Sequence, residues 1–136
     1  MPCMVELVCV DPRLVDQFWP HVEELIKNAV DHCGSWSVDL VKTAVLSGEQ
    51  LLWITWDGSA IRAAATTLLL REQKGLVCLA VTCGGEDQNW PERFSAIEKY
   101  ARDEGCVAAR IQGRPGWARI FKDYKAEWVS LEKALD

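Results

Sequence analysis

Apolar residues recur at two different periods along the chain, and the changes of period mark the predicted elements. Alternation and short apolar runs predict strands, whereas spacings of three and four residues predict amphipathic helices. The first predicted helix follows a weak strand pattern and begins at Asp11-Pro12, a side-chain cap followed by a proline. Its apolar face runs from Val15 to Cys33. Pro20 falls inside this pattern and is expected to kink or split the helix.

A meander of strands is predicted in the middle of the chain. Ser37 is expected to cap a second helix that ends at Gly48, and the pattern then changes to that of strands. Asp57-Gly58 is typical of a tight hairpin turn, so the runs on either side of it should pair. Three strands are predicted, at Leu51–Trp56, Ile61–Arg71 and Leu76–Thr82.

The third of these strands leads into Cys83-Gly84-Gly85 and then into a helix. Asn89 and Glu92 have the spacing of a capping box, which predicts the start of that helix, and Gly105 should close it. Free backbone N–H groups and the positive end of a helix dipole meet at such a junction. The junction is therefore a candidate site for an anionic ligand.

The order of elements predicts the fold class. After Gly105 the pattern indicates a strand, a short helix and a last strand, at Val107–Ile111, Pro115–Lys122 and Glu127–Leu135. Hairpin strands followed by β-α-β units are typical of a mixed sheet. We expect one α/β (α+β) domain over residues 1–136, with a central sheet of about six or seven strands and helices on both faces.

Charge and composition exclude several classes of function. The net charge is −5 and basic residues are scattered, so neither nucleic acid nor an anionic membrane is an expected partner. The uncharged apolar runs, among them Ala63–Leu70, are too short to span a bilayer, and no signal peptide is visible. Six cysteines without a Cys-x-x-Cys pair and only two histidines predict reduced thiols and no metal site, consistent with the cytoplasm.

Three passages carry a resemblance to a known family. They are Asp57-Gly58 with Ile61-Arg-Ala-Ala64 behind it, Ile97–Cys106, and Gly116–Tyr124. Together they resemble the turn, the helix and the closing segment of the GNAT (GCN5-related N-acetyltransferase) superfamily. Gly116-Trp-Ala-Arg119 and Leu131-Glu-Lys133 are similar to small GNAT-like proteins of phages and prophages.

The resemblance implies an acyl-CoA site at the end of the Leu76–Thr82 strand. In the family the pantetheine arm pairs with the strand backbone and the diphosphate rests on an Arg/Gln-x-x-Gly-x-Gly/Ala loop. Those loop positions fall here on Glu86, Asn89 and Pro91, so the loop is degenerate. A shifted loop remains as a hypothesis, and its cofactor-binding residues would be Val81, Cys83, Gly84, Gly85 and Arg114.

The resemblance also implies a tyrosine as general acid in the closing segment. Phe121 occupies the matching position, and Tyr124, one helical turn away, is the candidate instead. A packed, amphipathic Tyr124 is the alternative. Candidate general bases are His21, His32, Glu49, Glu86 and Asp87.

Three functions are compatible with the sequence. The first is an acyl-CoA N-acyltransferase with altered or lost acetyl-CoA binding, acting on an unknown amine. The second is a non-catalytic structural, assembly or interaction module of phage type, virion-associated if phage-encoded, with Trp36, Trp56 and Trp117 as contact residues. The third is a GNAT-like protein that binds a different anion at Gly84-Gly85. A homodimer is a further candidate arrangement.

Overall fold

In the part of the chain that the structure describes, the sheet has five strands, which lie side by side in the order in which they occur along the chain. The computed structural model describes residues 6–31, 36–85, 89–113, 116–126 and 131–135. The strands are β1 (Leu7–Cys9), β2 (Leu51–Trp56), β3 (Ile61–Glu72), β4 (Gly75–Gly85) and β5 (Ala108–Ile111). The helices are α1 (Val15–Val30), α2 (Val38–Ser47), α3 (Trp90–Asp103) and α4 (Trp117–Ile120).

The sheet is mixed, as expected from the element order. Neighbours from β1 to β4 pair antiparallel, whereas β4 and β5 pair parallel, with α3 as the crossover between them. The β2–β3 connection is the predicted hairpin, in which Gly58 has a φ of 96°. The Asp57 side chain accepts hydrogen bonds from the backbone N–H groups of Ser59 and Ala60, which closes the turn.

The starts of the first two helices follow the predicted chemistry. The Asp11 carboxylate accepts from the backbone N–H of Arg13, and a short 3-10 turn leads into α1. Ser37 accepts from the backbone N–H of Leu40 at the start of α2. Pro20 does not split α1, which is one continuous helix of 16 residues. None of the helices in the described ranges is long and apolar enough to cross a membrane.

Helices cover both faces of the sheet, which confirms that part of the predicted fold. On one face α1 and α2 pack through Trp19, Ile26 and Val41 against Leu52 and Ala64. On the other face α3 and the α4 segment pack against the remaining side chains of the strands. That second core contains Leu7, Trp53, Ala65, Cys78, Ala80, Cys83, Trp90, Phe94, Ile97 and Phe121.

The number of strands is lower than the six or seven predicted. Within the described ranges there are five, since residues 131–135 at the end of the chain form no strand. The rest of the predicted final strand, residues 127–130, lies outside the described residues. The alternating pattern of that segment indicates strand propensity, but a strand also requires a partner, and residues 131–135 are exposed to solvent.

Candidate functional site

The end of β4 separates from β5. Parallel pairing between the two strands stops at Ala80 and Ile111, where the N–H of Gln112 donates to the Ala80 carbonyl at 3.3 Å. β4 continues to Gly85 and pairs only with β3 over this stretch, as far as Ala63. From Val81 onward the opposite edge of β4 therefore has no strand partner among the described residues. Residues 81–84 are buried at this edge, and Gly85 at the end of the strand is exposed.

A β-bulge begins at the same point. Thr66 pairs with Thr82 and Thr67 pairs with Ala80, so Val81 is an extra residue beside β3. The bulge reverses which side chains point to which face of the sheet. In a regular strand, residues three apart lie on opposite faces, but Ala80 and Cys83 both belong to the core beneath α3. β4 thus loses its β5 partner on one edge and shifts its register on the other within one residue. Bulges are common next to active sites because they redirect backbone groups.

The two glycines that follow have structural reasons to be glycine. A Cβ on Gly84 would lie 2.2 Å from the carbonyl oxygen of Leu25, so α1 approaches the strand too closely for any side chain. Gly85 has a φ of 135°, and a Cβ there would lie 2.4 Å from the carbonyl oxygen of Arg62. Gly84 is buried and Gly85 is exposed at the strand end.

The first turn of α3 lacks the predicted capping box. The Asn89 side chain makes no capping hydrogen bond, and its carbonyl accepts the first intrahelical hydrogen bond, from the N–H of Arg93. The prediction from the Asn89–Glu92 spacing was therefore wrong, because Asn89 has a φ of −97° and a ψ of 37°, outside the extended conformation usual for a capping residue. The N–H groups of the first turn are not occupied by Asn89, and the half-buried Arg93 brings a positive charge to this turn.

Four of the five predicted cofactor-binding residues lie together on the last part of β4. Val81 and Cys83 are 2% and 8% exposed, and the two glycines complete the strand. Arg114 lies outside the described residues, as do Glu86 and Asp87 in the loop between β4 and α3.

The Cys83 thiol is not in a setting that activates a nucleophile. Burial raises its pKa to about 12, so it stays protonated at neutral pH. Cys78, further back on β4, has a pKa raised to about 12, first by burial and then by the neighbouring Cys106. This end of β4 is therefore lined by neutral side chains.

Tyr124 belongs to an aromatic cluster between α3 and α4. Its ring lies 5.9 Å from that of Phe94 and 5.4 Å from that of Phe121, and its hydroxyl donates to Glu98 Oε2 at 2.6 Å. Burial first, and then the hydrogen bond to Glu98, raise the pKa of Tyr124 well above its usual range. Phe121, at the position of the family's tyrosine, is buried.

The other candidate side chains lie apart from this site or outside the described ranges. His21 and Glu49 are exposed on α1 and after α2, whereas His32 is not among the described residues. Of the three tryptophans proposed as surface contacts, Trp56 alone is exposed. Trp36 and Trp117 are half-buried, because each packs against one of the two cores.

Sequence reasoning missed two polar residues that lie next to the bulge. Thr66 and Thr82 share a hydrogen bond of 2.8 Å between their hydroxyl oxygens, and both are almost fully buried. Their signal was present: two adjacent threonines, Thr66 and Thr67, interrupt an otherwise apolar strand. A threonine in a buried strand needs a hydrogen-bond partner, but the partner becomes evident only once the register is known.

The fold matches solved acetyltransferase structures along almost its whole length. An aminoglycoside N-acetyltransferase in complex with CoA is 10% identical, covers 98% of both chains and has a TM-score of 0.69. An aminoglycoside acetyltransferase from an uncultured soil metagenomic sample, in complex with sisomicin, is 12% identical over 97% of both chains, with a TM-score of 0.68. A ribosomal-protein-alanine N-acetyltransferase from Brucella melitensis biovar Abortus 2308 is 9% identical over 98% of this chain and 100% of that one, with a TM-score of 0.66.

These similarities define the class of fold. No protein-family profile and no curated protein sequence matches this chain. The structural agreement nevertheless extends over nearly the whole domain, since it covers 97% and 98% of this chain in the two aminoglycoside acetyltransferases. The chain has the single-domain α/β fold of the GNAT acetyltransferases.

Proposed function

We propose that this chain is an acyl-CoA-dependent N-acyltransferase that binds the acyl-pantetheine arm along the free edge of β4. The observation that carries the proposal is the coincidence at Ala80 and Val81, where the β5 partner ends and the bulge begins. An extended edge of five residues, about 16 Å long, suits a linear chain that contains amide groups, since both offer alternating donors and acceptors.

The residues present fit the two ends of this cofactor unequally. The pantetheine end would meet a free strand edge and neutral side chains. The diphosphate end would meet the first turn of α3, with its N–H groups and Arg93, but also the acidic sequence Glu86-Asp87. Because those carboxylates oppose a diphosphate, the proposal includes weaker binding of the nucleotide part than of the acyl-pantetheine part.

The proposed reaction requires few catalytic groups from the chain itself. Acyl-CoA supplies an activated thioester, and an amine that attacks its carbonyl carbon forms the C–N bond as the C–S bond breaks. The backbone around Val81 would orient the thioester and provide N–H groups near its carbonyl oxygen. The amine gives up a proton and the departing sulfur takes one, so the chain needs a route for a proton but no nucleophile of its own.

Titration with acetyl-CoA tests the proposal. A ligand present at one hundred times its dissociation constant adds about 2.7 kcal/mol to the free energy of unfolding, which a thermal-shift or calorimetric experiment detects. Hydrogen exchange should slow at those amides of Val81–Gly85 that do not bond to β3. Amides of Cys78–Ala80, which already pair with neighbouring strands, are the internal control. Absence of any shift at millimolar acetyl-CoA would refute the proposal.

A comparison of two ligands tests the proposed preference for the pantetheine part. S-acetylpantetheine, which lacks the nucleotide, should retain most of the binding free energy of acetyl-CoA. Transfer itself is followed by mass spectrometry of acetylated amines from a panel of polyamines, aminoglycosides and peptide N-termini. This readout avoids interference from the exposed thiol of Cys9 in assays that detect free sulfur.

An interaction module is the second candidate, and one surface favours it. Trp56 at the end of β2 is 55% exposed, and Val8 on β1 is 56% exposed. Val8 lies opposite Ile54, two residues before Trp56, so Val8 and Trp56 are near each other on neighbouring strands. If acetyl-CoA does not bind, Val8 and Trp56 form the best-supported contact surface for a partner protein.

A further inference from the structure

Buried hydrogen bonds flank the register shift on β3. The shift falls between Thr66 and Thr67, and each of these threonines uses its hydroxyl. Thr66 Oγ1 lies 2.8 Å from Thr82 Oγ1, and Trp53 Nε1 donates to Thr67 Oγ1 at 2.9 Å. Thr66, Thr67 and Thr82 are at most 2% exposed. The two residue pairs therefore mark the two sides of the bulge with polar contacts inside an apolar core.

These contacts distinguish the observed register from its nearest competitor. If the end of β4 slipped by one residue and lost the bulge, Thr66 would face Val81 and its hydroxyl would lose its partner. Cys83 would then take the place of Gly84 opposite Ala64, where the Leu25 carbonyl leaves no room for a Cβ. A buried hydroxyl without a partner and a steric clash both oppose the slip.

We propose that the Thr66–Thr82 hydroxyl pair is a positioning device for acyl transfer, which fixes the bulge at Val81 and thereby the direction of the free backbone groups on β4. This inference rests on the proposed function. Neither threonine contacts the acyl group: both act through the backbone that they hold in register.

Valine substitutions distinguish the effect of the hydroxyl pair on stability from its effect on the register between β3 and β4. Thr66→Val or Thr82→Val alone leaves one buried hydroxyl without its partner and should lower the urea midpoint of unfolding. The double variant has two apolar side chains of nearly the same shape, so the midpoint should recover most of the loss. The double variant has nevertheless lost the polar contact, which is one of the two features that oppose the slip. Its β4 amides should exchange at least tenfold faster, and kcat should fall at least tenfold with little change in KM for acetyl-CoA.

Thr55→Val is the matched control. Thr55 is a buried threonine on β2 in the same sheet, and its hydroxyl oxygen has no hydrogen-bond partner within the described ranges. Its replacement removes a buried hydroxyl without breaking a contact. The β4 exchange rates and kcat should stay within twofold of those of the unmodified chain.

Nuclear Overhauser contacts give a readout that does not depend on catalysis. In the unmodified chain the cross-strand contacts should follow the pairs Thr66–Thr82 and Ala65–Cys83, and in the double variant a second set should appear, shifted by one residue. A double variant with a single, unshifted register and unchanged kcat would overturn the inference. If the unmodified chain transfers no acyl group, the proposed function fails, and the register data alone decide whether the pair holds the bulge.

Discussion

At the scale of single residues, Tyr124 shows how one hydrogen bond limits a chemical role. Its hydroxyl donates a hydrogen bond to Glu98, and burial together with that carboxylate raises the pKa of the phenol. A raised pKa keeps the proton in place, and it widens the existing gap to the thiol, which is already a stronger acid than an ordinary phenol. The geometry favours a structural contact between the α4 segment and α3. General-acid catalysis by Tyr124 stays a prediction from the sequence.

Replacement of Tyr124 by phenylalanine distinguishes these roles. We expect Tyr124→Phe to cost about 1–2 kcal/mol in the free energy of unfolding, because a hydrogen bond to a carboxylate is lost at a half-buried site. Acyl transfer should fall no more than about threefold, since the proton donor would be elsewhere. Chemical denaturation and steady-state kinetics measure the two effects. A hundredfold fall in kcat at unchanged KM would instead establish Tyr124 as the general acid.

Asp57 is a second residue whose charge is fixed by its neighbours. Its carboxylate accepts from Arg62 Nε at 2.7 Å and from two backbone N–H groups of the hairpin turn. The hydrogen bond from Arg62 is the main reason why the pKa of Asp57 lies well below its ordinary value of 3.8, and the backbone donors add to it. A lowered folded-state pKa means that the ionised carboxylate stabilises the fold above pH 3.8, and that this contribution is lost as the pH falls further.

The variant Asp57→Asn should therefore show a pH-dependent loss. At pH 7 we expect it to unfold at lower urea concentration than the unmodified chain. The difference should shrink as the pH falls from 5 to 3 and below, because the unmodified chain then begins to lose the same contribution. Arg62→Gln should produce a smaller effect of the same sign. Parallel stability curves for Asp57→Asn and the unmodified chain over this range would contradict the assignment.

At the scale of elements, the contact between α1 and β4 sets the shape of the site. The helix passes so close to the strand that only glycine fits at position 84. Close approach of a helix backbone requires the strand to present glycine on that side, and the bulge at Val81 is what places Gly84 there. The strand irregularity and the helix packing are therefore one structural feature.

A single methyl group tests this contact. Gly84→Ala places a Cβ 2.2 Å from the Leu25 carbonyl oxygen, and we expect a loss of about 1–3 kcal/mol or more in the free energy of unfolding, as for other overpacked sites. Gly116→Ala is the control, because no atom lies within 4 Å of its added Cβ, and it should change stability by less than about 0.5 kcal/mol. Equal stability of the two variants in urea titration would refute the close approach.

Local chemistry predicted some element boundaries and missed others. Ser37 and Asp57 act through hydrogen bonds to nearby backbone, so their roles are visible in a few residues of sequence. Asn89 has the same side-chain chemistry, but its backbone angles do not suit the cap. The bulge at Val81 had no local signal, because it depends on which β3 residue faces each β4 residue.

At the scale of the whole molecule, the order of elements predicted the fold class but overestimated the number of strands. It predicted a mixed sheet covered on both faces, and solved acetyltransferases near 10% identity share that fold. Such agreement at low identity is expected because many sequences satisfy the same burial pattern. The site was less predictable, since its strand edge without a partner arises where the pairing with β5 ends, which is a tertiary feature.

The close fit of Gly84 under α1 also bears on how this domain can be re-engineered. The alignment of the final β4 residues is determined inside the sheet, by buried hydroxyls and by a helix backbone, and so it owes nothing to the connection that starts after Gly85. Segments of other lengths and charges can be grafted between Gly85 and Asn89 while the scaffold keeps its alignment. A library that varies this connection alone would therefore test the proposed diphosphate end of the site on an unchanged framework.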